Sequence, residues 1–194
     1  MCCMYTEKQF NIPTIEGISQ EQIQVHLGLY SGYVKNTNKL REQIVTLQDE
    51  GADATQVAEL QRRLGFEFNG MRMHEYYFEQ LEGGAQELPQ DSPFLSQVEK
   101  QFGSIDNYLA DLRRVAGMRG IGWVVTSYDE RSGDLLNVWV SDHELGQLAG
   151  NKVIFAMDMW EHAFMVDYLP ATKSDYVSVY LAHVNWQVVA DRMN

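Results

Sequence analysis

The chain has 194 residues, of which 45% are hydrophobic, so it can bury a core in one large domain or two small ones. Its formal net charge is -12 at pH 7, which argues against a nucleic-acid binder that works through a global basic field. No apolar run approaches the roughly 18 residues of a membrane-spanning helix, so neither nucleic acid nor a membrane is expected as a partner.

The chain begins with MCCMYTEKQF, which lacks the basic start and the apolar stretch of a secretory signal. The two cysteines, Cys2 and Cys3, are adjacent, so a structural disulfide framework is not expected and a reducing cytoplasm fits best. Two neighbouring thiols could also bind a metal, and that interpretation stays open beside the simpler one of a frayed terminus.

Two long amphipathic helices are predicted in the N-terminal half. Ser19 and Gln22 have the form of a capping box, and apolar positions then recur at three- and four-residue spacing until Gly51. The same spacing returns over residues 57–81, and Gly83 with Gly84 ends it. Because only a short polar loop separates the two helices, they are expected to form an antiparallel hairpin.

The C-terminal half changes from helical to strand-like spacing. Its predicted elements, in chain order, are a polar linker (82–92), a helix from Pro93 to Phe102, a helix capped by Ser104, a β-hairpin with its turn (121–128, 129–134 and 135–140), a third strand (153–157) and two helices (160–168 and 176–193). The sequence therefore predicts an α+β fold, in which an α-hairpin domain (1–84) precedes a domain (93–194) with a three-stranded antiparallel sheet.

The run DMWEH at residues 158–162 is the most informative motif. It offers an aspartate and a histidine four residues apart, Asp158 and His162, which can converge on one metal ion where a strand ends. A buried aspartate is costly unless it is paired or binds a metal. His26 and His74 lie on the two predicted long helices, and each alone would be interpreted as a packed core histidine. Three imidazoles and one carboxylate suit a redox-active iron or manganese ion.

The chain resembles the iron/manganese superoxide dismutases over nearly its whole length. The matching residues, in chain order, are His26, 33–40 (YVKNTNKL), 68–70 (FNG), His74, 77–78 (YF), 102–104 (FGS), 120–123 (GIGW), Asp158 with 160–162 (WEH), 167–168 (DY), 174–176 (SDY) and 184–186 (VNW). The resemblance implies that His26, His74, Asp158 and His162 bind one iron or manganese ion per subunit, between the two domains. It also implies conversion of superoxide to dioxygen and hydrogen peroxide.

The surroundings of that implied metal depart from the family pattern. Manganese relatives place a glutamine in an Asn-Gln-Asp segment where this chain has Asp142, His143 and Glu144. Many iron relatives place a glutamine four residues before the second histidine ligand, where this chain has Gly70. By the resemblance, His143 is the candidate that hydrogen-bonds the metal-bound solvent, against the simpler interpretation of a solvated loop histidine. We expect iron, or tolerance of either ion.

The substrate channel and the subunit contact also depart from the pattern. Tyr33, followed by a valine, is the better match to the gateway tyrosine, with Tyr30 as the alternative. Tyr30 and Met165 replace the histidine and tyrosine that pair across the dimer in relatives, so that bond is not expected. Glu161 matches the acid that hydrogen-bonds the last histidine ligand of the opposite subunit. The resemblance therefore implies a homodimer formed through Glu161 and His162.

Three further residues complete the implied site. Lys173 matches the arginine that relatives place at the mouth of the channel, where a positive charge would offset the overall charge of -12 that repels superoxide. Trp123 and Trp160 match aromatic residues that wall the metal site.

Two functions other than that of a dismutase are compatible with parts of the sequence. One is a non-catalytic structural or interaction homologue, for which the loss of a ligand would be expected. The other is a metal enzyme with altered peroxide chemistry, prompted by the changed surroundings of the metal. All four implied ligands are present, which favours the dismutase.

Overall fold

The computed structural model describes residues 4–194, so the metal role considered for Cys2 and Cys3 lies outside the described residues. Its helices are α1 (Gln20–Asp49), α2 (Ala54–Glu79), α3 (Pro93–Phe102), α4 (Ile105–Ala116), α5 (Lys173–Ala182) and α6 (Trp186–Asp191). Its strands are β1 (Gly122–Asp129), β2 (Asp134–Ser141) and β3 (Lys152–Asp158), and two short 3-10 turns span Glu161–Ala163 and Pro170–Thr172.

Helices α1 and α2 form the predicted antiparallel hairpin, and local signals set its ends. Ser19 Oγ accepts a hydrogen bond from the Gln22 backbone N–H and caps α1. Gly51 adopts a left-handed φ of 69° just after α1, and the Asp53 side chain accepts from the Thr55 N–H to cap α2. The predicted capping box is only half formed, because the Gln22 side chain bonds other residues instead of the Ser19 backbone.

The three strands form one antiparallel sheet in the order β2-β1-β3. The β1–β2 connection is the predicted hairpin turn, closed by a 2.8 Å hydrogen bond from the Gly133 N–H to the Asp129 carbonyl. The central strand β1 is buried along most of its length because it pairs on both edges and is covered by helices. The predicted α+β fold with a three-stranded antiparallel sheet is therefore confirmed.

Strand β3 is attached to helix α2, and this attachment positions the end of the strand. The buried Gln80 amide, which follows α2, donates to the Ala156 carbonyl at 2.8 Å and accepts from the Ala156 N–H at 2.9 Å. Two residues later β3 ends at Asp158. The last residue of the strand is thus held against the same helix that carries His74.

Two predicted helices are wrong. Residues 160–168 form only the 3-10 turn Glu161–Ala163 and further turns, because Gln22 from α1 bonds the His162 carbonyl and the Val166 N–H. Residues 176–193 are not one helix but parts of α5 and α6. The break occurs where the Asn185 N–H donates to the Gln80 carbonyl at 2.7 Å and its side chain caps α6.

Among the described residues, no helix combines the length and apolar character needed to cross a bilayer. The division into domains 1–84 and 93–194 stays a prediction.

Candidate metal centre

Four side chains from distant parts of the chain converge on one point. Each offers one ligand atom, and these atoms lie within 4.8 Å of one another: His26 on α1, His74 on α2, Asp158 at the end of β3, and His162 in the 3-10 turn. Asp158 Oδ2 lies 3.0 Å from His26 Nε2, 3.1 Å from His162 Nε2 and 3.6 Å from His74 Nε2. The side chains of His26, His74 and Asp158 are almost fully buried, whereas the His162 side chain is 18% exposed.

His74 shows that the cluster fits a metal ion. Its Nδ1–H donates to the Gly70 carbonyl at 2.6 Å, which leaves Nε2 with a lone pair. Nε2 is buried without a hydrogen-bond partner among the described residues and faces Asp158. An orphaned, buried imidazole lone pair is costly unless something binds it. The donor set of three imidazoles and one carboxylate is one that iron or manganese accepts.

The Asp158 carboxylate is oriented so that one oxygen faces the histidines. Its Oδ1 accepts from the Trp160 backbone N–H at 2.8 Å, and its backbone carbonyl accepts from the Tyr176 hydroxyl at 2.8 Å. Burial by itself raises the pKa of Asp158, but hydrogen bonds and charge from His162 and His26 outweigh it and hold the pKa below its ordinary value. Asp158 is therefore an anion that can balance positive charge.

Two of the imidazoles, those of His26 and His74, are favoured in the neutral form that binds metal. Burial lowers the pKa of His26, although Asp158 opposes the shift. Burial also lowers the pKa of His74 well below its ordinary value, and neighbouring His26 adds to this effect. Neutral imidazole is the metal-binding form, so the protein environment favours a metal at neutral pH.

A second group of aromatic side chains lies beside the cluster. His143 Nδ1 accepts from Trp123 Nε1–H at 2.9 Å, and His143 Nε2 lies 2.8 Å from Tyr33 Oη. The His143 ring also stacks on Trp160, and the Tyr33 ring centroid lies 5.0 Å from that of His74. His143 is fully buried, which excludes the solvated loop histidine. Both of its ring nitrogens lie within hydrogen-bond distance of a protein partner.

Tyr30 occupies a different position from Tyr33. Its hydroxyl accepts from the Lys8 N–H at 2.9 Å and donates to Glu75 Oε1 at 3.1 Å. These bonds tie the N-terminal segment to α1 and α2. The Tyr30 hydroxyl is therefore committed to Glu75, whereas Tyr33 alone reaches His143.

Glu161 and Lys173 lie at the surface near the cluster. Glu161 is exposed, and it lines a pocket together with Met159 and Lys173. Lys173 Nζ donates to the Met118 carbonyl at 2.8 Å and lies 5.9 Å from the Trp139 ring centroid. Arg119 lines the same pocket, so the structure places two cationic residues and one carboxylate there, next to the chain segment that carries Asp158.

Comparison with known proteins agrees with this geometry. A family model described as the C-terminal domain of iron/manganese superoxide dismutases matches residues 90–192. A protein of Cupriavidus metallidurans named as an iron superoxide dismutase is 32% identical over 182 residues, which cover 92% of this chain and 89% of the relative. This chain belongs to the iron/manganese superoxide dismutase family.

Other members of the family are named for different ions. A protein of Aquifex pyrophilus named as an iron superoxide dismutase is 29% identical over 92% of this chain and 85% of its own length. A protein of Haloferax volcanii named as a manganese superoxide dismutase is 29% identical over 84% of this chain and 80% of its own length. Family membership therefore does not choose between iron and manganese.

Gln22 has a role in this family member that sequence analysis missed. Its Nε2 donates to the His162 carbonyl at 2.7 Å, and its Oε1 accepts from the Val166 N–H at 3.0 Å. The side chain is buried, one turn before His26 on α1. The sequence signal for this role is a glutamine one turn before His26, on the same face of α1. Gln22 therefore links the α1 ligand to the turn that carries His162.

Gly70 provides the space for Tyr33, which leads to a prediction. A Cβ atom at Gly70 would lie 2.5 Å from Tyr33 Cδ1, so Gly70→Ala forces the Tyr33 ring away from His74 and His143. We expect Gly70→Ala to lower the free energy of unfolding by about 1–3 kcal/mol and to reduce turnover. Denaturant unfolding and superoxide decay measure the two effects.

The matched control is Gly28→Ala in α1, where the added Cβ meets nothing within 4 Å. Because alanine favours helix, this control is expected to stabilise the protein by up to about 1 kcal/mol. Equal stability and turnover in the two variants would show that the close contact at Gly70 has no importance.

Proposed function

We propose that the protein is a superoxide dismutase, which converts two superoxide anions and two protons into dioxygen and hydrogen peroxide. The observation that carries this proposal is the convergence of three imidazoles and Asp158, with the buried His74 Nε2 lone pair facing the carboxylate without a partner. The relatives named as superoxide dismutases support the same reaction.

We propose that His26, His74, Asp158 and His162 hold one iron or manganese ion. Such an ion supplies the exchange of one electron, by alternating between its trivalent and divalent states. The Asp158 carboxylate contributes a negative charge that balances the ion, and Trp160 N–H and Tyr176 OH keep that residue in place. Trp123 and Trp160 form walls of the site that restrict the access of water.

We propose iron, or tolerance of either metal, as the native state. The test is to load the purified protein separately with iron and with manganese, and to measure metal content and superoxide decay for each. Uptake of either ion with turnover supports the proposal. No uptake would favour a non-catalytic homologue, and uptake without turnover would favour altered peroxide chemistry.

We also propose a homodimer in which Glu161 accepts a hydrogen bond from His162 of the partner subunit. The support is the resemblance to the family together with two exposed apolar residues, Met165 and Val166, which follow Glu161 and His162 closely in the chain. Burial of exposed apolar side chains against a second copy is favourable. Sedimentation velocity should show a dimer, weakened by Glu161→Ala. A monomeric wild-type protein would contradict this proposal.

Lys173 is proposed to attract superoxide. Lys173→Glu reverses one charge at the pocket beside Glu161, so we expect the second-order rate of superoxide capture to fall about two- to tenfold at low salt. The loss should shrink as ionic strength rises, because salt screens the interaction. Pulse radiolysis over a range of salt concentrations measures both effects.

The control for this prediction is Lys100→Glu, which makes the same change of charge at an exposed position in α3. It should leave the capture rate close to that of the wild type. If both variants slow capture equally, the overall charge and not Lys173 governs the rate.

We propose that the protein works in the cytoplasm. The support is its cysteine content, only Cys2 and Cys3 in 194 residues, which suits a reducing compartment. Fractionation of cells that express the full chain tests this, and recovery outside the cytoplasm would contradict it.

A further inference from the structure

The four proposed ligands differ in how the fold holds them. His26 and His74 lie within long helices, and Asp158 is the last residue of a paired strand. His162 instead lies in a 3-10 turn of three residues, whose start has no side-chain cap. Its side chain is 18% exposed, whereas those of the other three are at most 1% exposed. The position of His162 therefore depends on contacts from outside its own turn.

Gln22 supplies two of these contacts from helix α1. Its Nε2 donates to the His162 carbonyl at 2.7 Å, and its Oε1 accepts from the Val166 N–H at 3.0 Å. The side chain is 1% exposed, so both hydrogen bonds are shielded from water and strengthened by the low dielectric. One amide group thus closes the segment 162–166 in its turn conformation.

Two further hydrogen bonds join the same parts of the chain nearer the surface. The Ser19 backbone N–H donates to Asp167 Oδ2 at 2.6 Å, and the Tyr168 hydroxyl donates to the Gly17 carbonyl at 2.6 Å. Together with the two bonds of the glutamine amide, they form what we call the α1 clasp. The clasp joins the chain around the start of α1 to the segment 162–168.

The α1 clasp fixes one proposed ligand relative to another, because His26 lies on the same helix one turn after Gln22. The His26 and His162 rings lie 5.1 Å apart, centroid to centroid, with both Nε2 atoms close to Asp158 Oδ2. An ion can leave such a site only after it has lost its bond to one ligand, and His162 is the ligand outside regular structure. We propose that Gln22 is a positioning residue, which keeps His162 at the ion and thereby slows release of the metal.

This role rests on the proposed metal centre, and it implies that the clasp and the ion stabilise each other. Both hold His162 in the same place, and a coupling free energy between two such events is reciprocal. A bound ion therefore stabilises the closed clasp by the factor by which the closed clasp raises metal affinity. Hydrogen exchange at the Val166 N–H, which is bonded to Gln22, reports opening of the clasp. We expect this exchange to be slower in the metal-loaded protein than in the metal-free protein.

Gln22→Met tests the role directly, because methionine is similar in size and makes neither hydrogen bond. We expect the full-length, iron-loaded variant to lose iron to an excess of chelator about tenfold faster than wild type. Its ferric EPR spectrum should also change, since the symmetry around the ion depends on where His162 is held. Faster release with an unchanged spectrum would indicate general destabilisation and would overturn the role, as would an unchanged release rate.

The matched control is Gln24→Met, which makes the same substitution at an exposed position of α1. It should equal wild type in both release rate and spectrum. Tyr168→Phe keeps the role testable if Gln22→Met does not fold, because it removes one outer bond of the clasp. We expect about twofold faster release from it, and an unchanged rate would then overturn the role.

Hydrogen exchange and turnover separate this role from the proposed function. Equal exchange at the Val166 N–H in the metal-free and metal-loaded wild type would overturn the coupling between clasp and ion. A wild-type protein that binds iron without superoxide turnover would contradict the proposed function, whereas the release rate and the spectrum measure the role of Gln22 independently of turnover.

Discussion

Asp158→Asn is expected to lower the affinity for iron or manganese more than about 100-fold and to abolish superoxide turnover. Loss of a side chain that only hydrogen-bonds a metal ligand costs up to about 100-fold, and Asp158 is itself a proposed ligand. Asp158 is the only carboxylate among the four converging side chains, and its Oδ2 is the atom that faces all three histidines. Asparagine keeps the shape of the side chain and removes its charge. The three neutral imidazoles would then have to bind a trivalent ion without a compensating anion.

The measurement is metal content after loading, together with a competition titration of affinity against a chelator of known strength. Asp106→Asn in the first turn of α4 removes one carboxylate from an exposed position and serves as the control, with metal content expected to equal that of wild type. Full metal occupancy and activity in Asp158→Asn would show that this cluster is not the metal site of the proposed dismutase.

Arg192→Ala is expected to lower the free energy of unfolding by about 2–4 kcal/mol. The Arg192 guanidinium donates to Gln80 Oε1, the Ile154 carbonyl, the Tyr76 carbonyl and Glu79 Oε2, at distances from 2.7 to 3.0 Å. Its side chain is 12% exposed, so most of these acceptors would be left in a dry environment. One arginine near the C-terminus thus connects α2 to β3.

Equilibrium denaturation measures this loss, and Arg114→Ala is the matched control. Arg114 is 75% exposed and pairs with Asp111 one turn away in the same helix, so its removal should cost at most about 1 kcal/mol. Arg192→Lys should recover only part of the stability, because an ammonium group lacks the planar fork that reaches several acceptors. Equal losses in the two alanine variants would contradict the account of Arg192.

Local patterns in the sequence predicted most of the fold. The helical spacing of α1 and α2, with Ser19 before and Gly51 between them, follows from side chains that must share one buried face. The strands were predicted because β-rich runs alternate with a polar turn. The final helices were predicted as continuous because nothing local reveals that Asn185 bonds Gln80, more than 100 positions earlier in the chain.

The candidate site, like the fold, was predicted from the sequence only in part. The sequence by itself determined which chemistry is available: three imidazoles and one carboxylate at family spacing, with His143 in place of glutamine. Only the tertiary structure decided that Tyr33 and not Tyr30 reaches His143, and that Gln22 holds the turn with His162. Those hydrogen bonds join residues 110 and 140 positions apart. Spacing along a chain encodes which face a side chain occupies, but its hydrogen-bond partner depends on how separate elements pack together.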